Sequence, residues 1–260
     1  MKRCVVVIPA YNEEATVGDV IRRVPRVIDD AVRVSILVID DGSTDGTAAV
    51  AKAAGADEVV SFSANRGLGA AIREGLRLAH ARGADVAVMI DADGEYPPEA
   101  IPDLVRPILR GEADYVLGSR FKGTIRGMRL VRRIGNWAFT LLQVLLLRRW
   151  IWDGQTGLRA FSREALADVE IVHDYNYAQV MTLNLVRKGY RLLEVPIAYR
   201  ARTTGTSFIR YGEYLRRVLP AMWKELRRPV QRRTPRPEAE GVARGGGEPR
   251  EAAFDAHRAV

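Results

Sequence analysis

Three acidic segments hold the residue types that do chemistry in this chain. Asp91-Ala92-Asp93-Gly94-Glu95 follows directly on the apolar run Val86-Ala87-Val88-Met89-Ile90. Carboxylates two apart at the end of a buried strand are hard oxygen ligands. They suit Mg²⁺ or Mn²⁺, ions that commonly also take oxygens from substrate phosphates. An isolated D-x-D reads as a solvated acidic turn as well. Asp40-Asp41-Gly42-Ser43-Thr44-Asp45 follows a second apolar run, and Ser43 or Thr44 can cap the next helix with Asp45 near its positive end. Capping leaves Asp40 and Asp41 unexplained, and they stand where a ribose hydroxyl or base edge could be bound. The first apolar run leads into Pro9-Ala10-Tyr11-Asn12-Glu13-Glu14. A tyrosine and an acid there suit stacking on a nucleobase and hydrogen bonding to its ribose. A plain strand-to-helix turn with Glu13 in the first helical turn accounts for the segment about as well. A dinucleotide-binding oxidoreductase is excluded: Asn65-Arg66-Gly67-Leu68-Gly69 offers only G-x-G, with Ile72 where a third glycine belongs.

These segments sit at the ends of regularly spaced elements. Short β-branched runs at 5–8, 36–39, 86–90 and 115–117, and a weaker one at 58–62, alternate with helical patterns at 14–28, 44–54, 67–82 and 98–110. That alternation predicts an α/β fold, a Rossmann-like, mostly parallel sheet with helices on both faces. Ligands of such sheets gather outside the carboxyl ends of the strands. Further on, 162–169 and 177–188 read as helices and 191–199 as a strand. Residues 137–152 are apolar nearly all round, and their apolar core, Trp137 to Leu147, is shorter than the about 20 residues of a bilayer span. Residues 209–228 pattern as a helix with Tyr, Leu, Met and Trp on one side and Arg and Lys on the other. From 229 onward Pro, Gly, Arg and Glu dominate, which predicts a disordered tail.

Composition narrows the classes. The 260 residues are 47% hydrophobic and 28% charged, enough for one domain with a sizeable core. Cys4 is the single cysteine, which excludes a disulfide framework or a cysteine-built metal site. His80, His173 and His257 are scattered, against a histidine-built zinc site. The apolar run after Met-Lys-Arg lacks the length and cleavage site of a signal peptide, so a cytoplasmic protein is expected. The net charge of +8 is uneven: residues 120–152 carry +8 without an acid and 200–236 carry +9, leaving −9 for the rest. A basic second half implies an anionic partner.

Taken together, in order and at strand ends, the motifs resemble the family 2 glycosyltransferases with the GT-A fold. They are most similar to the branch that transfers sugars to dolichyl or polyprenyl phosphate. The likeness continues through Gly118-Ser119-Arg120-Phe121, Arg132-Arg133-Ile134-Gly135-Asn136 and Asp153-Gly154-Gln155-Thr156-Gly157-Leu158-Arg159. It ends with Glu194-Val195-Pro196-Ile197 and Arg202-Thr203-Thr204-Gly205-Thr206-Ser207, covering about residues 4–210. The resemblance implies that Pro9, Tyr11, Glu13 and Asp41, joined by Asp40, hold the nucleotide of a GDP- or UDP-linked sugar. It implies that Asp91 and Asp93, with Ala92 between them and Glu95 beside them, hold Mg²⁺ or Mn²⁺ on the diphosphate. Three positions depart from the family pattern. Glu95 stands in place of Gln, Val180 in place of a Glu before Met181 with Gln179 beside it, and Thr206 in place of a basic residue.

The acceptor decides what else is needed. A sugar hydroxyl requires a base, whereas a phosphate monoester, with a second pKa near ~6, is already a nucleophile at neutral pH. Such an enzyme needs cations to position the phosphate, and the motif-matched Arg120, Arg132 and Arg202 are the candidates. The Q-x-x-R-W signature of processive synthases is missing, so transfer of one sugar, mannose or glucose, is expected. Tryptophans at both ends of 137–152 suit an interfacial helix, and a basic 209–228 suits anionic headgroups. The expected organisation is a GT-A domain over 1–208 with an interfacial helix at 134–152, a basic amphipathic helix at 209–228 and a tail at 229–260. The expected location is peripheral, on the inner face of the cytoplasmic membrane. The main alternative is a soluble GT-A enzyme acting on a small-molecule or glycan hydroxyl. A nucleotidyltransferase would need a glycine-rich loop and lysine after the first strand. Nucleic acid is not an expected partner, because the basic residues lie among Trp and Leu and no recognition motif occurs.

Overall fold

The computed structural model describes residues 1–171, 177–201 and 220–230. The expected α/β alternation is present. Strands β1 (Lys2–Ala10), β3 (Val32–Asp40), β4 (Glu58–Ser61) and β5 (Val86–Met89) alternate with helices α1 (Val17–Arg23), α2 (Thr47–Ala53), α3 (Leu68–Ala81) and α4 (Ile101–Leu109). A two-residue strand, β2 (Val27–Ile28), follows α1. The second half adds β6 (Tyr115–Arg126), α5 (Leu130–Leu147), β7 (Arg159–Ser162), α6 (Arg163–Asp168), α7 (Tyr177–Arg187) and β8 (Leu192–Arg200). Residues 220–227 are helical.

The strands form one sheet in the order β2-β3-β1-β5-β7-β6-β8, with β4 also on β3. The sheet is mixed. Pairs β1–β3, β1–β5, β3–β4 and β6–β8 are parallel, while β7 runs antiparallel between β5 and β6 and β2 runs antiparallel to β3. Each strand serves two cores by alternation. Cys4, Val6 and Ile8 pack with Val17 and Ile21 of α1 and Leu104 and Val105 of α4. Val5 and Val7 pack on the other face with Ile72 and Leu76 of α3 and Met181 of α7. Burial on both faces is why these strands read as continuous apolar runs.

Several boundaries differ from the expected ones, for local reasons. The helix expected over 14–28 stops at Arg23, because Val24 precedes Pro25 and takes an extended conformation, φ −66° and ψ 123°. The strand expected at 115–117 continues to Arg126, and beyond Gly118 its polar residues pair with β8 across an irregularity between Ser119 and Thr124. Strand β7 does not stand out as a strand in the sequence, where its residues fall between a motif ending at Arg159 and a helix pattern from 162; Arg159 opens it and breaks the apolar run. The interfacial helix expected at 134–152 is displaced towards the N-terminus. It begins at Leu130 and ends where Arg148 turns left-handed at φ 51°, so Trp150 and Trp152 lie beyond it. The displaced helix is 18 residues long with a mean hydropathy of 1.2, and 11% of it is buried. By length and composition it could cross a membrane, unlike the shorter apolar core expected. Of the helix expected at 209–228 only 220–227 is described, and the tail beyond 230 lies outside the described residues.

Candidate active site

The parallel register brings the three acidic segments to one edge. Ala10 pairs with Asp40, and Val7 pairs with Met89, so β1, β3 and β5 end side by side. The loops that follow are stitched together. Asn12 N–H donates to Ser43 Oγ at 2.9 Å, Glu13 N–H to Thr47 Oγ1 at 2.8 Å, and Thr44 N–H to Asn12 Oδ1 at 2.9 Å. Asn12 adopts the left-handed conformation, φ 53°, that turns the chain towards this partner. Pro9 is buried at the strand end, Tyr11 is 40% exposed, and Glu13 is half-buried and accepts from Thr16 Oγ1 at 2.8 Å.

Asp40 and Asp41 are both buried and both shape backbone. Asp40 Oδ1 accepts from Ser43 N–H at 3.0 Å. Asp41 accepts from Arg66 N–H at 2.7 Å and Gly67 N–H at 2.9 Å, one on each oxygen. Burial pushes the Asp41 carboxyl up despite these two donors. Asp41 thus fastens the 65–67 turn to the nucleotide edge, a task its sequence context did not announce.

Asp91 occupies the end of β5. No hydrogen bond among the described residues reaches its carboxylate. Burial, with the charge of Glu95 adding to it, pushes Asp91 up to about 6, against the pull of Arg159, Arg120 and Arg132. Asp93 Oδ1 accepts from the Glu95 N–H at 3.0 Å. Glu95, expected beside the ion, is engaged by other partners. It is 2% exposed, takes a two-pronged ion pair from Arg132 at 2.9 Å on each oxygen, and accepts from Tyr199 Oη at 2.5 Å. Among the described residues no group of three His, Cys, Asp or Glu side chains is gathered as a metal cage. Of the three residues expected at an ion, Asp91 and Asp93 are the two whose carboxylates are not taken up by an arginine fork among the described residues. One or two carboxylates completed by substrate phosphate oxygens is how Mg²⁺ is usually held, so the residues present fit such an ion.

Of the three arginines expected to meet an acceptor phosphate, the two described ones, Arg120 and Arg132, have different surroundings. Arg120 is 2% exposed and committed: Nε to Asp153 Oδ2 at 2.7 Å, Nη2 to Asp153 Oδ1 at 2.8 Å, and its own N–H to Asp153 Oδ2 at 2.9 Å. It has almost no surface to offer a ligand. Arg132 stands on α5 and reaches Glu95, with its side chain 32% exposed. Arg202 lies outside the described residues. Of the departures from the family pattern, Val180 and Gln179 are buried in α7, and Thr206 lies outside the described residues. Sequence reasoning quoted Asp153, Arg159 and Glu194 in motifs without giving them roles. Glu194 accepts from the Trp152 and Asp153 N–H groups, which seats the loop carrying Arg120's partner. Tyr199, which donates to Glu95, carries no signal in the sequence, since a tyrosine in a strand is ordinary core material.

Comparison with known proteins identifies the family and the fold. The family model described as glycosyl transferase family 2 matches residues 5–170. The polyprenol monophosphomannose synthase of Mycolicibacterium smegmatis is 34% identical over 217 residues, 79% of this chain and 80% of that protein. The undecaprenyl-phosphate mannosyltransferase of Micrococcus luteus is 31% identical over 245 residues, 86% of this chain and 98% of that one. Among solved structures, glucosyl-3-phosphoglycerate synthase from Mycobacterium tuberculosis, in complex with Mn²⁺, UDP and phosphoglyceric acid, superposes with a TM-score of 0.70. The two are 27% identical, and the match covers 88% of this chain and 80% of that one. The motif order, the mixed sheet and the extent of these matches lead to one conclusion: the chain belongs to glycosyl transferase family 2 and is a hexosyltransferase with the GT-A fold.

Proposed function

We propose that this enzyme transfers a single hexose, mannose or glucose, from a GDP- or UDP-linked donor to the phosphate of a polyprenyl or dolichyl phosphate at a membrane surface, with Mg²⁺ or Mn²⁺. The observation that carries the reading is Arg132. It belongs to a helix that exposes Leu130, Val131, Ile134 and Trp137, yet its guanidinium reaches the loop bearing Asp91 and Asp93. A helix suited to the lipid interface thereby brings a phosphate-binding fork to the donor site.

In this reading the Tyr11 ring stacks on the base, and the stitched loops with Pro9, Glu13, Asp40 and Asp41 shape the nucleotide pocket. Asp91 and Asp93 hold the divalent ion, with Ala92 between them; the ion, when bound, neutralises charge on the leaving nucleoside diphosphate. Glu95 serves Arg132 rather than the ion. The acceptor phosphate competes with Glu95 for Arg132's fork, and Arg202 is retained as a second candidate contact. Arg120 acts from behind, as one half of a buried ion pair that sets the Asp153 loop. No side chain needs to act as a base, because the phosphate is already ionised. Binding through α5 and the 220–227 helix makes the enzyme peripheral, on the cytoplasmic face.

The experiment is a donor panel. GDP- and UDP-linked hexoses are incubated with vesicles containing polyprenyl phosphate, with Mg²⁺ or Mn²⁺ or with excess EDTA. Label entering the lipid phase, and its loss with EDTA, is expected. Full transfer in EDTA removes the ion; label reaching only water-soluble products removes the lipid.

A further inference from the structure

Two residues that the reaction does not directly use converge on Asp91. The first is Gly157. A Cβ built on it stands 2.0 Å from Asp91 Oδ2 and 2.7 Å from Cγ, with Tyr96 Cε2 at 2.9 Å. No side chain fits there, so the Asp91 carboxylate rests against bare backbone. The Gly157 N–H in turn donates to Tyr96 Oη at 2.8 Å, which ties the same turn to the segment just beyond the D-x-D.

The second is Arg159. It is fully buried, and its hydrogen-bond partners are neutral. Nε donates to Thr156 O at 2.9 Å and Nη2 to Gly154 O at 3.0 Å, one carbonyl on either side of the 155 position. Nη1 donates to Ala178 O and Thr182 Oγ1, each at 3.1 Å, and to Tyr115 Oη. A buried guanidinium without a hydrogen-bonded carboxylate is costly, and the nearby Asp91 charge offsets part of that cost. The hydrogen bonds of the guanidinium shape the loop that contains Gly157. The loop is also held from above: Gly154 N–H donates to Thr140 Oγ1 of α5 at 3.2 Å.

We propose that residues 154–159 form the backstop of the cation site: Gly157 fixes where the Asp91 carboxylate can lie, and Arg159 is the positioning residue that holds Gly157 there. This rests on the reading that Asp91 binds the divalent ion. An Asp91 free to swing would sample several staggered rotamers. The backstop removes the alternatives before the ion arrives, a supporting shell of the kind that tunes metal affinity by about 10–100-fold.

The test measures binding of Mn²⁺ alone by electron paramagnetic resonance, with no sugar donor, in wild type, Gly157→Ala, Arg159→Lys and Arg159→Met. Expected are a loss of at least tenfold in Mn²⁺ affinity for Gly157→Ala, and a smaller loss for Arg159→Lys than for Arg159→Met. Metal-free affinity for the nucleotide should change less than twofold. Because Gly157→Ala also strains the fold, its effect on Tm is measured again in an Asp91→Gly background. Part of the Tm loss should vanish there, since the oxygen it meets is gone, while the part due to Tyr96 Cε2 remains. Near-wild-type Mn²⁺ affinity in Gly157→Ala, or the same Tm loss in both backgrounds, overturns the backstop alone. A wild type that does not bind Mn²⁺ overturns the metal reading and the backstop with it.

Discussion

Arg120 and Arg132 look alike in sequence, both arginines in motifs of the same basic stretch, and the structure gives them opposite environments. Arg120 shares a desolvated pair with Asp153, both at 2% exposure or less. Arg120→Ala strands a buried carboxylate, which costs about 3–5 kcal/mol. A loss of Tm is therefore expected, with activity falling because the fold loosens. Chemical denaturation of the variant checks this, and unchanged stability would return Arg120 to the ligand site. Arg132 is the reverse case. Charge-assisted hydrogen bonds to a phosphate are worth about 1.5–3 kcal/mol, so Arg132→Ala should lower kcat/KM for lipid phosphate by roughly ten- to a hundredfold while donor affinity stays constant. Arg132→Lys keeps a charge for the buried Glu95 but loses the planar fork, and should recover the stability and only part of the activity. Steady-state kinetics with each substrate varied separates these outcomes. Asp91 supplies a pH signature. Its carboxyl rises from the ordinary aspartate range to about 6, so the native state binds its proton more tightly than the unfolded chain. In the metal-free protein its contribution to stability is therefore present below the ordinary value and is lost as pH rises through 6. The Tm of the metal-free protein should fall between pH 4 and 6, and the rise in Tm on adding Mn²⁺ should be larger at pH 7 than at pH 5. A Mn²⁺ effect independent of pH would contradict Asp91 as a ligand. None of these distinctions was visible in sequence, because burial and pairing across 33 or 37 positions leave no local trace.

At the scale of elements, what was legible followed from periodicity. Strands β1, β3 and β5 are buried on both faces and announce themselves as apolar runs, and the loops at their carboxyl ends lie side by side, as the spacing of the motifs implies. Elements that break the pattern were not legible. Strand β7 contains the buried Arg159, and the polar second half of β6 looks like a loop until β8 pairs with it. For α5 the apolar character is plain in sequence but its start is not, since Arg132 and Arg133 interrupt the apolar pattern in its first turn. Its exposed face carries the next prediction. Burying one large apolar side chain is worth about 1.5–3 kcal/mol. Trp137→Ser should thus weaken vesicle binding about tenfold or more in a co-sedimentation assay, without changing nucleotide affinity. Unaltered vesicle binding would move the interface off α5.

For the whole molecule, the division of labour is asymmetric. The acidic edge of β1, β3 and β5 is assembled by backbone and short loops, and α5 is tied to it through Arg132 on Glu95 and to the loop before β7 through Thr140 on Gly154. Fold and family could be read from the order of four strand-end motifs. The use made of Asp153, Arg159 and Tyr199 could not, because it arises from how β7, β6 and β8 meet. The most direct test of the proposed reaction offers the enzyme, with one matching nucleotide sugar and Mg²⁺ or Mn²⁺, polyprenyl phosphate and the corresponding polyprenol at equal concentration in identical vesicles. Rapid glycosylation of the phosphate is expected, rising with pH through about 6 as its second proton leaves, with no product from the alcohol. Equal rates on the two lipids, or no lipid product while phosphoglycerate or a free sugar is glycosylated, would contradict it.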